Sequence, residues 1–148
     1  MIRISEEEAS LFGVATKFDL MENGERRFRL NCSQDGSSYC RTVASEDGAW
    51  QNSHYHKSVS EFYVVQSGWI AYAIKKDREF KLGVLKQGES ITFTPLVWHN
   101  IYLSSNSVIH TIKYGDYLEN DWFPSPELDQ LTKHLDPDSL FSLSAEKK

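Results

Sequence analysis

The chain has 148 residues and a mass of 17.1 kDa, the size of one compact domain (residues 1–148) with room for a sizeable core. Its composition, 40% hydrophobic and 25% charged, excludes wholesale disorder and fibrous architecture. Sixteen basic against twenty-one acidic side chains leave a net charge of −5 with no long basic stripe, so nucleic acid is not expected as a partner.

A polar, acidic start (MIRISEEEAS) opens a short helix, with Ser5 as cap, Glu8 three residues on and Gly13 as its stop. From about Phe28 to Tyr114 the texture becomes β-rich: runs of Val, Ile, Tyr, Phe, Thr and Trp alternate with turn residues, as in sandwiches and barrels. Nine strands are predicted: Arg27–Asn31, Tyr39–Ser45, Trp50–His56, Glu61–Ser67, Trp69–Lys75, Phe80–Leu85, Ser90–Thr94, His99–Leu103 and Val108–Tyr114. The longest apolar run, Trp69–Ile74, is far short of the ~20 residues that cross a bilayer, so no membrane is expected. Ser125-Pro126 opens a helix, over about 126–135, in which Leu128, Leu131 and Leu135 recur at helical spacing; Pro137 is expected to end it. The final SLFSLSAEKK reads as a loosely held tail. Cys32 and Cys40 can form one disulfide or stay as two thiols; with no apolar leader, reduced thiols and a cytoplasmic location are expected.

The chemistry concentrates in four residues. His54 and His56 are two apart, so on a strand both face the same way, with Tyr55 opposed. Glu61 begins the next strand and shares a face with Tyr63 and Val65. His99 opens a later strand. Imidazole and carboxylate suit a divalent first-row metal, and strands hold such ligands stiffly. His110 and His134 belong to no such pattern and read as structural, while Arg41 and Lys113 read as solvated charges or as anchors for an anionic substrate. The four tryptophans read as core or interface, although Trp98 adjoins His99 and Trp50 precedes the His54–His56 pair, so either could border a pocket.

The stretch Gly48-AWQNS-His54-Tyr55-His56-KSVS-Glu61-FYVVQS-Gly68 resembles, position for position, the first signature motif of the cupin superfamily. Gly88-ESITFTPLVW-His99 resembles an eroded second motif: Thr94 stands at the usual Pro, Leu96 at the usual Gly, and Leu103 where Asn is common. The resemblance implies an all-β fold, a cupin-like double-stranded β-helix (jelly-roll barrel) over about 28–114. It further implies that His54, His56, Glu61 and His99 bind a divalent transition metal (Fe, Mn, Ni, Zn or Cu) at one end of the barrel. The expected function is a metal-dependent enzyme acting on a small polar, metal-chelating substrate, as a dioxygenase or a sugar isomerase or epimerase. A non-catalytic ligand-sensing barrel is the alternative. Glu61, with Tyr63, Tyr72 and His110 as candidate bases, forms the expected catalytic set. Small members of this family often pair, and Phe62 and Val64, opposite the Glu61 face, suggest a homodimer surface.

Overall fold

In a computed structural model, residues 1–144 are described. Helix α1 (Glu6–Leu11) begins at Ser5, whose hydroxyl accepts from the Glu8 amide, and buries no residue. Twelve strands follow: β1 (Val14–Leu20), β2 (Arg26–Cys32), β3 (Ser38–Val43), β4 (Ala49–Trp50), β5 (His54–Tyr55), β6 (Val59–Ser67), β7 (Trp69–Lys76), β8 (Glu79–Lys86), β9 (Ser90–Phe93), β10 (Trp98–Leu103), β11 (Val108–Gly115) and β12 (Phe123–Pro124). Helices α2 (Pro126–Thr132) and α3 (Pro137–Ser142) close the order.

The strands form two antiparallel sheets, β1-β2-β3-β11-β6-β9 and β12-β5-β10-β7-β8, with β4 joined to β10. Between them lies a core of Tyr63, Val65, Ile70, Tyr72, Phe93, Ile101, Leu103 and Ile109. A second cluster forms on the other face of the second sheet, where Ala71, Ala73, Val84 and Tyr102 meet Leu128 of α2 and Leu140 of α3. Strand β7 is thus covered on both faces, which is why Trp69–Ile74 reads as an unbroken apolar run rather than an alternation.

Five expectations change. Strand β1 was not expected, yet it pairs with β2 over its whole length. Trp50–His56 is two short strands split at 51–53, and His56 lies outside both. β12 adds a further short strand against β5. Pro137 does not end α2, which stops at Thr132: Asp136 accepts from the Ser139 amide and Pro137 starts α3, so Ser139–Ser142 is helical rather than tail. In α2 the buried positions are Leu128 and Thr132, one turn apart, whereas Leu131 is exposed. The last four residues of the expected tail, 145–148, lie outside the described residues. No helix among the described residues is long and apolar enough to cross a membrane.

Candidate metal centre and adjoining cavity

One end of the two-sheet core is polar. His54 and His99 come from the second sheet, directly paired across β5 and β10, while Glu61 comes from β6 of the first sheet. All three are buried, and one ligand atom from each lies within 4.8 Å of the others. Glu61 Oε2 is 3.3 Å from His54 Nε2 and 2.8 Å from His99 Nε2; His56 Nε2 stands 3.2 Å from the other oxygen, Oε1. The His56–Glu61 contact is off hydrogen-bonding angle, so His56 Nε2 is a buried nitrogen with no hydrogen-bond partner.

The tautomers follow from the opposite ring nitrogens. His54 Nδ1 lies 2.9 Å from the Asn52 carbonyl, His99 Nδ1 lies 2.9 Å from the Val97 carbonyl, and His56 Nδ1 meets the Asp121 carbonyl. A carbonyl only accepts, so each Nδ1 carries a proton, and in the neutral ring each Nε2 presents a lone pair. Three lone pairs therefore converge on a carboxylate, an arrangement that a cation between them would stabilise. The donor set fits a divalent metal.

The surroundings keep this group charged and fixed. Burial alone would raise the Glu61 carboxyl, but its close contacts with His54, His56 and His99 outweigh it and hold the carboxyl well below its usual range. Burial pushes the His99 imidazolium down, leaving the ring neutral and able to ligate. The Phe93 ring lies flat against His99 at 4.0 Å, and Trp122 stacks on His54 at 5.4 Å. Tyr63 donates to Glu61 Oε2 at 3.1 Å; burial first, then the Glu61 charge, raises its phenol well above normal, so it is a donor and not a base.

His56 is aimed by a clamp, not by strand alternation. The Asp121 carboxylate accepts from the amides of Lys57, Ser58 and Val59 and from the Ser58 hydroxyl, while the Leu96 amide donates to the His56 carbonyl. No motif marks Asp121 in the sequence.

Two expected catalytic residues lie elsewhere. Tyr72 packs in the core against Phe93 and across Gly83, where a Cβ would stand 2.3 Å from its hydroxyl oxygen. His110 is on the outer face of the first sheet, between Tyr39 (2.7 Å) and Gln66 (3.0 Å), because β11 turns Ile109 and Thr111 inward. Arg41 shares that outer face, paired with His110 and Phe28.

A cavity of about 270 Å³ opens from the metal group, lined by His54, Glu61, Tyr63, Trp122 and polar side chains of the first sheet. Those side chains include Arg27, Arg29 and Lys113, of which sequence reasoning marked only Lys113. Both thiols are free: Cys40 lines the cavity, whereas Cys32 is held by the Phe12 carbonyl region on the opposite face.

No family model matches the sequence, and no characterised protein is recognisably similar in sequence. Solved structures are similar in shape. Oxalate decarboxylase from Bacillus subtilis superposes with a TM-score of 0.62 at 16% identity, over 88% of this chain and 34% of that one. The coconut allergen cocosin gives 0.56 at 18% identity over 66% and 28%, and CapF, the capsular polysaccharide assembling protein from Staphylococcus aureus, 0.59 at 15% over 78% and 34%. The chain thus spans about a third of the length of the decarboxylase and of CapF, and 28% of cocosin. Mn(II) centres are described for the Bacillus subtilis decarboxylase. Two antiparallel sheets, the His-x-His pair facing Glu61 and His99, and these neighbours together give the chain the cupin fold, with a buried group able to bind a divalent metal.

Proposed function

We propose that the chain is a metal-dependent enzyme acting on a small polar substrate that chelates the metal, and that its reaction consumes dioxygen. The observation that carries this reading is the convergence of three Nε2 lone pairs on one charged carboxylate, each imidazole fixed through its other nitrogen. Two imidazoles with one carboxylate, His54, His99 and Glu61, make the donor set associated with non-haem Fe(II) oxygenases, and His56 adds a fourth donor. When bound, such a metal supplies Lewis acidity and redox chemistry with dioxygen.

The chain's residues do the rest. The second-sheet histidines and Glu61 hold the ion, Tyr63 fixes the carboxylate by donating to it, and Trp122 walls the cavity against the His54 ring. Isomerases and epimerases need a base that moves a proton between carbons. Outside the metal group, the described cavity lining has no carboxylate and no imidazole; its Lys113 is paired as a cation with Glu61 and its Cys40 thiol with Thr42, which favours the oxidative reading. Metal-loaded protein should take up oxygen with a panel of keto acids, thiols and sugars. Turnover under argon would select proton transfer instead, and binding without turnover would select a sensing barrel.

We also propose that the chain is a homodimer. The support is the outer face of the first sheet, where Phe62 and Val64 continue into a wider apolar surface. Two free thiols facing opposite sides of that sheet support a reducing compartment such as the cytoplasm.

A further inference from the structure

The first sheet places its charge inward. Paired strands β1, β2 and β3 turn Asp19, Arg27, Arg29 and Ser38 toward the cavity and its adjoining groove, while Phe18, Phe28 and Leu30 face out. Polar residues on the inner face of a sandwich cost desolvation energy and need a reason. Arg27 and Arg29 are each about four-fifths buried (side-chain exposure 22%), and Lys113 is exposed by 32%.

Each cation is anchored yet retains donors. Arg27 donates Nε and Nη2 to one oxygen of the buried Glu25, which leaves Nη1. The other Glu25 oxygen is buried without a partner. Arg29 donates Nη1 to Asp19, leaving Nε and Nη2. Lys113 Nζ stands 3.8 Å from Glu61 Oε1. Three cations thus balance Glu25, Asp19 and Glu61 in the metal-free protein. Lys17, 4.0 Å from Asp19, adds a further cation at the groove. A divalent metal on Glu61 would therefore leave at least two positive charges uncompensated in a confined, partly dry space.

We propose, building on the metal-centre reading, that the substrate is an anion: one end chelates the metal, and a carboxylate or phosphate arm is bound by Arg29 and Lys113, with Arg27 at the rear. Guanidinium and ammonium groups with spare donors suit such an oxyanion arm. A neutral sugar would leave the excess charge unmatched.

The test titrates metal-loaded protein by calorimetry with malonate, inorganic phosphate and neutral glycerol, with metal content measured on each sample. Arg29→Gln and Lys113→Gln are compared with wild type and with Arg41→Gln, which removes one charge from the outer face. Malonate or phosphate should bind, the better of the two naming the arm. Its affinity should fall about tenfold or more in each cavity variant, with metal content unchanged, and stay as in wild type for Arg41→Gln. Arg29→Lys should recover part of the loss. Glycerol binding as tightly as the anions, or anion affinity unmoved by both cavity variants, would overturn the proposal. If wild type takes up no metal, the metal reading fails by itself. The same titrations on metal-free protein then decide the anion site, supporting it if the cavity variants still weaken binding and overturning it if they do not.

Discussion

Leu96 sits at φ 68°, left-handed backbone that costs a non-glycine residue about 1–2 kcal/mol, and its side chain is 62% exposed. The cupin motif has Gly at this place, and the geometry explains why. Leu96→Gly gives back part of that strain in unfolded-chain entropy, so a net gain of about 0.5–1 kcal/mol is expected, seen as a rise of a few degrees in melting temperature. Among the described residues, Glu61 is the only carboxylate in the metal group. Glu61→Gln keeps the shape but removes the charge that draws in the ion and sets its acidity. Metal affinity should fall at least tenfold, and turnover at equal loading about a hundredfold or more, while the far-ultraviolet spectrum stays that of a β protein. Equal metal content and equal turnover in this variant would sink the metal-enzyme reading. The metal group was legible in the sequence because ligand spacing is a linear pattern: His54, His56, Glu61 and His99 sit at fixed intervals whatever surrounds them. Arg27 and Arg29 were not legible, because alternation fixes that they share a face, not which face. The usual apolar-in assumption turns them outward, opposite to the structure.

At the level of elements, the segment after β11 acts on the metal group without entering it. Asp121 gathers the 57–59 amides and offers its carbonyl to His56, Trp122 covers His54, and β12 pairs Pro124 with His54. A two-residue strand leaves too little pattern to read, and a clamp from 63 residues away leaves none. The same holds for the split of Trp50–His56: alternation predicted the common face of His54 and His56, but the clamp supplies it for His56. Asp121→Ala should therefore cost about 1–3 kcal/mol in urea unfolding and weaken metal binding about 10–100-fold. Asp121→Asn, which keeps an acceptor, should fall between. Burial would raise the Asp121 carboxyl, but its hydrogen bonds from Lys57, Ser58 and Val59 hold it below the usual value. A carboxyl depressed in the folded state contributes stability above its unfolded pKa, near 3.9, and loses it as pH falls through the lower folded value. The stability gap between wild type and Asp121→Ala should thus be constant above about pH 5 and narrow only in stronger acid. A gap that closes between pH 7 and 5 would assign the clamp's titration to another group.

The two sheets differ in what lies on their outer faces. The second carries α2 and α3, which bury Leu128 and Leu140 against Ala71, Ala73 and Val84. On the first, Phe18, Phe28, Leu30, Tyr39, Ile112 and Phe62 form a stripe across adjacent strands, linked by the registers Phe18↔Phe28, Leu30↔Tyr39, Tyr39↔Ile112 and Ile112↔Phe62. Phe18 is itself 68% exposed. An exposed apolar stripe of this kind, bordered by Arg41 and His110, is the sort of patch that marks an interaction surface. A second copy meeting it about a two-fold axis would place like strands together and match each side chain with a counterpart on the same stripe. The inward placement of the charged residues fits the same logic: the strands that present this surface outward are the ones that line the cavity with Arg27 and Arg29, so alternation would serve the proposed association on one side and the proposed anion binding on the other. Ile112 lies mid-stripe between Tyr39 and Phe62, which makes Ile112→Lys the sharpest probe. Wild type should scatter light at twice 17.1 kDa, and the variant at 17.1 kDa with its metal content intact, since the opposite face of β11 is untouched. A wild-type mass of 17.1 kDa across a wide concentration range would show that the stripe does not join two copies.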